Sequence, residues 1–181
     1  MKNKELFTTK NLVIMAMFSA ILCVAAYLTI TLPNGSHLSL LNFAILLVAL
    51  IFPARQGFCI TLVWLLIGAV GIPVYAGGNA GFAYLFGYFG GYIFGLLITP
   101  VVVPLLSGQE YHRIQTTFAT IFSVIMVDVL GMLQWMLLAH LDMREAFVAG
   151  FLPFIPLDLV KAVIAAQIAP ALRLAIHAAN S

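Results

Sequence analysis

The longest uncharged stretch of the chain comprises residues 56–109 and reads QGFCITLVWLLIGAVGIPVYAGGNAGFAYLFGYFGGYIFGLLITPVVVPLLSGQ. Its 54 residues include no Asp, Glu, Lys or Arg, and a similar run of 44 residues lies between Lys10 and Arg55. An α-helix needs about 20 residues to cross the hydrocarbon layer of a bilayer, so each run has room for two spans and a short loop. The two runs therefore predict an all-α integral membrane protein.

The composition of the whole chain supports the same fold class. The 181 residues include 8 Lys or Arg and 6 Asp or Glu, whereas a soluble chain of this length carries roughly 45 charged side chains. Apolar residues make up 64% of the chain, and the mean hydropathy is +1.12. Lipid must cover a surface with so few charges, which excludes a soluble globular domain and a disordered chain. The net charge of +2 is too small to favour a nucleic-acid partner.

Breaks within the uncharged runs predict six transmembrane helices in a single domain, residues 1–181. Pro33 to Ser36 divide the first run, and Gly77, Gly78 and Asn79 divide the second. The second span is predicted to be the shortest. The predicted spans are 11–32, 38–54, 58–75, 84–106, 116–141 and 152–176.

The basic residues predict the orientation of the six spans. An even number of spans places both termini on the same side of the membrane, and only Arg144 is then on the opposite side. The excess of positive charge predicts that both termini are cytoplasmic, in a multi-pass protein of a bacterial cytoplasmic membrane. The basic residues on the cytoplasmic side would be Lys2, Lys4, Lys10, Arg55, Arg113 and Arg173.

Residues 71–81, GIPVYAGGNAG, are predicted to form a loop at the outer face. Three glycines flank Asn79, so the backbone can fold closely there, and irregular backbone at membrane depth requires protein or a water-filled cavity around it. The segment is either a lid over a ligand, with Asn79 as hydrogen-bond donor and acceptor, or an ordinary flexible loop. The aromatic residues nearby either line an apolar pocket or belong to interface belts. They are Trp64, Tyr75, Tyr84, Tyr88 and Tyr92.

Charged residues within the predicted spans are the main candidates for a binding site. Asp158 and Lys161 are three residues apart, which places them on the same face of the last helix. A charge at the bilayer centre costs at least about 2.5 kcal/mol, so it should face an interior cavity and have a partner. The pair either holds a small polar ligand, which we favour, or only neutralises itself within the bundle. Asp128, in the fifth predicted span, is expected to form a structural hydrogen bond.

Small residues recur at intervals of four and predict close helix packing. Gly87, Gly91 and Gly95 would lie on one face of the predicted fourth helix, where another helix can approach at backbone distance. Ala16 and Ala20 form a similar, weaker pair in the first predicted span. That pair predicts either an internal contact or a docking face for another membrane protein.

The remaining reactive side chains do not indicate catalysis or metal binding. The chain has no Walker, GxSxG or HExxH motif, so we expect neither an enzyme nor an ATPase. A membrane enzyme or scaffold that uses the intramembrane aspartates is an alternative, although no nucleophile–base pair can be proposed. No metal site is expected, because no pair of histidines has the spacing of metal ligands. The histidines are His37, His112, His140 and His177.

The segment 68–92, GAVGIPVYAGGNAGFAYLFGYFGGY, resembles the BioY family, the biotin-binding S components of energy-coupling factor (ECF) transporters. The resemblance extends over nearly the whole chain and includes the stretches 38–43, 52–57 and 154–161, the last of which reads FIPLDLVK. It implies the ECF S-component fold, a six-helix integral membrane protein with cytoplasmic termini. It also implies that the chain takes up biotin.

The resemblance implies a biotin site at Asn79, Asp158 and Lys161. Biotin has a ureido ring with two N–H groups and a carbonyl, an apolar thiophane ring and a carboxylate tail. Asp158 would accept the N–H groups, Lys161 or Asn79 would bind the carbonyl or the carboxylate, and the tyrosines and Trp64 would pack on the bicycle. Ala16 and Ala20 match the position where the family meets its membrane coupling protein.

The resemblance further implies a membrane coupling protein, the T component, and two cytoplasmic ATPases as partners. It implies no cofactor, since biotin is the transported ligand. Some members of the family have a basic residue directly after the tyrosine that corresponds to Tyr92, whereas this chain has Ile93. Either Lys161 would then have to bind the carboxylate, or the affinity for biotin should be lower. The alternative is an S component for another vitamin, such as thiamine or riboflavin, with a reshaped pocket.

Overall fold

The structure, a computed structural model, describes residues 8–31, 37–108 and 111–180, with side chains up to residue 174. Lys2, Lys4, the predicted break at 33–36 and the side chain of His177 lie outside the described residues. Within those limits the chain forms eight helices and one two-stranded antiparallel hairpin. The elements are α1 (Thr9–Ala25), β1 (Thr29–Thr31), β2 (His37–Ser39), α2 (Leu41–Ile51), α3 (Ala54–Ala69), α4 (Phe82–Leu85), α5 (Gly90–Ser107), α6 (Arg113–Ala139), α7 (Met143–Gly150) and α8 (Ile155–Asn180).

Local sequence signals explain where the first helices begin and end. The Oγ1 atom of Thr8 accepts a hydrogen bond from the amide of Asn11 and caps α1. The Oγ atom of Ser39 accepts a bond of 3.0 Å from the amide of Leu41 at the start of α2. Helix α2 ends because Pro53 disfavours the helical conformation at Phe52, which is extended with ψ at 150°. Helix α3 begins directly after this proline.

Each predicted span overlaps one of six apolar helices, α1, α2, α3, α5, α6 and α8. In the described part of the chain, three helical segments are long and apolar enough to cross a membrane, at 90–107, 113–139 and 155–174. The other three helices have 10–17 residues, and α2 is the shortest, as predicted. Large apolar side chains cover the outer faces of the helices, including Leu105, Ile114 and Phe118. Such faces suit lipid, and the protein is a membrane protein.

The predicted span 11–32 is longer than α1, because its C-terminal part forms a β-strand. Thr29-Ile-Thr31 pairs with His37–Ser39, and Ile30 lies opposite Leu38. β-branched residues favour the extended conformation. The hairpin connects α1 to α2 on the side of the bundle where the glycine-rich segment lies, since Gly77 donates to the carbonyl oxygen of Ala26.

The fourth predicted span, 84–106, is also interrupted. Helix α4 ends at Leu85, residues 86–89 form a turn, and α5 begins at Gly90. Gly87 lies in this turn, so the prediction that it shares a helix face with Gly91 and Gly95 is wrong. Helix α7 was not predicted either, although Asp142 and Glu145 form a capping box at its start.

Helix α5 lies against α2, α3 and α6, while α8 packs on α2 and α6, and α1 packs on α3. The contact between α5 and α6 is close because α5 has glycines there. A Cβ atom on Gly91 would lie 2.3 Å from the carbonyl oxygen of Leu130, and one on Gly95 would lie 2.9 Å from the Cα atom of Val127. This contact fixes the position of α6, which contributes Asp128 to the lining of an internal cavity.

Candidate functional site

An open cavity lies between the hairpin, α2, α5 and α6. Sites for small molecules combine an apolar lining with a few polar groups. The polar lining residues are His37, Ser39, Asn42, Tyr84, Tyr92 and Asp128. The apolar lining residues are Leu41, Ala76, Phe89, Ile93, Leu96 and Phe154. The cavity therefore has the lining of a small-molecule site.

Asp158 and Lys161 form a buried ion pair in the first turns of α8, and the pair lies behind the cavity wall. The Nζ atom of Lys161 is 2.8 Å from Oδ1 of Asp158 and donates a second bond, of 2.7 Å, to the carbonyl oxygen of Ser39. An ammonium has three N–H donors, so these two bonds leave one donor. Asp158 is 1% and Lys161 is 7% exposed.

Asn42 joins the ion pair to the cavity. Its Nδ2 atom donates a bond of 2.8 Å to Oδ2 of Asp158, and its side chain lines the cavity. The two oxygens of Asp158 thus accept from Lys161 and from Asn42. Ser39 and Asn42 are site residues that the sequence did not predict, although both lie in the stretch 38–43 that contributes to the family resemblance. The sequence contains one signal for them, since two polar side chains at the start of a helix without charges are unusual.

Asn79 lies beside the cavity and connects the glycine-rich segment to the hairpin. Its Nδ2 atom donates to the carbonyl oxygen of Ala76 at 2.7 Å and lies 3.2 Å from Nε2 of His37. The Nδ1 atom of His37 lies 3.2 Å from Oγ1 of Thr31. Because an amide nitrogen only donates, Nε2 of His37 accepts, which requires a neutral ring. Burial lowers the pKa of His37 below its ordinary value of 6.5, which favours the neutral ring.

Gly77 allows this connection to form. Its φ of 73° lies in the left-handed region, and a Cβ atom there would lie 2.4 Å from the imidazole ring of His37. A larger residue at this position would push the ring away from Asn79. The segment and the hairpin together cover the cavity from one side, with Ala76 and His37 in its lining.

The five aromatic candidates have different positions. Tyr84 and Tyr92 line the cavity, and Tyr92 also donates a hydrogen bond to the carbonyl oxygen of Gly150. Trp64 and Tyr75 are fully buried, and they donate to the carbonyl oxygens of Val74 and Leu65. Tyr88 is 51% exposed and does not line the cavity. The structure thus brings two of the five to the cavity, and two of the others support its surroundings.

Ala16 and Ala20 lie on the exposed face of α1. The opposite face of this helix packs on α3, where Oγ of Ser19 donates a bond of 3.0 Å to the carbonyl oxygen of Ile60. The alanines are flanked by exposed apolar side chains, including Val13 and Met17. Within the described chain, therefore, Ala16 and Ala20 do not form the internal helix contact that was one of the two expectations.

The fold and the cavity define a class of protein, a helical membrane protein with a largely apolar internal cavity. The sequence model of the BioY family matches residues 1–178. The chain belongs to the BioY family.

Relatives and a solved structure agree with this assignment. The chain is 32% identical to the biotin transporter BioY2 of Lactococcus lactis subsp. cremoris over 91% of this chain and 88% of that protein. It is also 32% identical to the probable biotin transporter BioY of Pyrococcus horikoshii, over 91% and 96% of the two chains. The crystal structure of the S-component for biotin from an ECF-type ABC transporter superposes with a TM-score of 0.81 at 25% identity, over 96% and 94% of the two chains.

Proposed function

We propose that this protein is a biotin-specific S component that captures extracellular biotin and delivers it inward with an ATP-driven ECF module. The single observation that carries the proposal is the cavity. The hairpin covers it on one side, and the buried Asp158–Lys161 pair lies behind its wall. Membership of the BioY family and the names of its relatives support biotin as the ligand. Transport of a vitamin needs no catalytic group, so the proposal does not include enzyme activity.

The aromatic part of the cavity suits the apolar part of biotin. Tyr84 and Phe89 have ring centroids 6.2 Å apart, and those of Phe89 and Tyr92 are 6.4 Å apart, so three rings form a continuous wall. We assign the thiophane ring and the alkyl chain to this wall. Trp64 and Tyr75 contribute indirectly, because Tyr75 stacks on Tyr84 at 5.7 Å. The exposed Tyr88 is left out of the site.

Lys161 is assigned to the carboxylate or the carbonyl of biotin through its remaining N–H donor. Ile93, at the position where some family members have a basic residue, adds an apolar surface to the cavity. Asp158 is assigned to the ureido N–H groups, and its two oxygens also hold the Lys161 ammonium and the Asn42 amide in place. Asn79 is assigned to the closing of the site through its contact with His37.

The transport cycle requires partners. Six spans are proposed, in which the three shorter helices accompany the three that are long enough to cross a membrane by themselves. The proposed location is the bacterial cytoplasmic membrane with both termini in the cytoplasm, which follows from the distribution of basic residues. The exposed Ala16–Ala20 face of α1 is proposed to dock the membrane coupling protein, and two cytoplasmic ATPases would supply the energy.

Uptake of labelled biotin tests the proposed function. The chain would be expressed in cells that lack biotin uptake, with and without an ECF module. Accumulation that depends on the chain, needs ATP and is unaffected by excess thiamine or riboflavin is the expected result. Uptake that thiamine or riboflavin blocks would show an S component for another vitamin. No uptake and no bound vitamin, with turnover of a lipid substrate, would favour a membrane enzyme.

A further inference from the structure

Asp128 is a buried carboxyl group that lines the cavity and that the proposed site does not use. It lies near the middle of α6 and is 1% exposed. Its Oδ2 atom is enclosed and has no hydrogen-bond partner in the described part of the chain. A buried polar atom without a partner is costly and rare in folded proteins. The unpaired oxygen of Asp128 therefore destabilises the folded protein, and no hydrogen bond within the described chain offsets this.

Two other polar side chains of α6, unlike Asp128, form hydrogen bonds that connect helices. The Oγ1 atom of Thr120 donates to the carbonyl oxygen of Ala162 at 3.1 Å, and Oγ of Ser123 donates to Oγ1 of Thr99 at 3.1 Å. Both residues thus connect α6 to a neighbouring helix. Asp128 follows Ser123 by five residues on the same helix, yet its Oδ2 atom makes no such connection.

The nearby ion pair does not satisfy Asp128 either. The Lys161 ammonium donates to Asp158 and to the Ser39 carbonyl, so it already has a carboxylate partner. Both oxygens of Asp158 accept hydrogen bonds at 2.8 Å. Of the two carboxyl groups, Asp128 is the one that lines the cavity and has an oxygen with no hydrogen bond in the described chain.

We propose that Asp128 accepts a hydrogen bond from a ureido N–H group of the bound biotin and selects for ligands that have this donor. The inference rests on the proposed function. It adds Asp128 as a second acceptor for the two ureido N–H groups, beside Asp158, which the family resemblance implied. Ile93 and Leu96 line the same cavity with apolar surface, so a ligand without the donor leaves the carboxyl unpaired.

Equilibrium binding of biotin and of its two ureido N-methyl derivatives tests this contact in the full-length protein. Wild-type protein should bind biotin about 10- to 100-fold more tightly than one of the two derivatives, which is the range for a buried hydrogen-bonding group that loses its partner. Asp128→Leu should lose the same factor for biotin and bind biotin and that derivative equally. Asp128→Asn, which keeps an acceptor, should retain most of the affinity. Ser123→Ala is the matched control on the same helix and should bind as the wild type does.

Thermal unfolding of the ligand-free variants separates binding from structure. If Asp128 serves the ligand, Asp128→Leu removes an unpaired buried carboxyl and the melting temperature should stay the same or rise. A fall in melting temperature with unchanged discrimination between the ligands would assign Asp128 a structural role and overturn the proposal. Equal affinity of the wild type for biotin and both derivatives would overturn it as well, without any variant. Failure of the wild type to bind biotin would instead refute the proposed function.

Discussion

Replacement of Lys161 by methionine probes the buried ion pair behind the cavity wall. Methionine keeps an unbranched side chain of similar length but removes the ammonium, and with it the bond of 2.8 Å to Asp158 and the bond of 2.7 Å to the Ser39 carbonyl. The carboxylate of Asp158 then retains the amide of Asn42 as its partner. The substitution thus has one effect on the ligand site and another on the fold.

The two effects have different magnitudes. Loss of the charged donor to biotin should cost about 1.5–3 kcal/mol, which weakens binding about 10- to 150-fold. Removal of one partner of a buried ion pair should cost about 3–5 kcal/mol of stability, because the other charge is left without compensation. The second effect is large enough to require a control for folding.

A second substitution supplies that control. The double variant Asp158→Asn, Lys161→Met removes both charges, so its stability should recover in part while its affinity for biotin remains low. Arg173→Met removes the other described cation of α8, which donates to the Leu50 carbonyl outside the cavity lining, and its affinity should match that of the wild type. Binding of labelled biotin to the purified, detergent-solubilised proteins gives the affinities. Wild-type affinity in Lys161→Met would refute the assignment of Lys161 to the ligand.

Three further predictions concern packing, the aromatic wall and the lid. Gly91→Ala should destabilise the protein by about 1–3 kcal/mol, because the added methyl group meets the carbonyl of α6, and thermal unfolding measures this. Tyr84→Ala should weaken biotin binding about 10-fold and Tyr88→Ala should not, since only the first of these two lines the cavity. Biotin should dissociate faster as the pH falls below 6.5, because a protonated His37 ring cannot accept from Asn79; stopped-flow fluorescence gives the rate.

The sign of the pH effect follows from the lowered pKa. A group whose folded pKa lies below its ordinary value stabilises the closed arrangement above that value and ceases to do so as the pH falls. His37→Gln keeps an acceptor that does not titrate, so its dissociation rate should not change between pH 5 and 7.5. A pH dependence that persists in this variant would exclude His37 as its source. Equal effects of Tyr84→Ala and Tyr88→Ala, or an unchanged melting temperature in Gly91→Ala, would contradict the other two predictions.

Features that depend on local sequence were predictable. The six apolar helices follow from the long runs without charge, because hydrophobic length is a property of one segment. The adjacency of Asp158 and Lys161 follows from their spacing of three residues on a helix. The glycine-rich segment around Asn79 was correctly identified as irregular backbone, because glycines in such number do not favour a helix.

Features that depend on tertiary approach were not predictable from one sequence. The hairpin requires residues 29–31 to meet residues 37–39, and the contact between His37 and Asn79 spans 42 residues. The family resemblance implied that Trp64 and Tyr75 pack on biotin, but their polar atoms bond to backbone carbonyls inside the bundle. The position of Asp128 was predicted, but not its unpaired oxygen, since that depends on every helix around it.

Equilibrium binding of labelled biotin to the purified wild-type protein, with excess unlabelled thiamine and riboflavin as competitors, tests the central claim most directly. The account predicts saturable binding at nanomolar biotin that the two competitors leave unchanged. Binding only above micromolar biotin, or displacement of biotin by either competitor, would contradict the claim that this cavity is a biotin site.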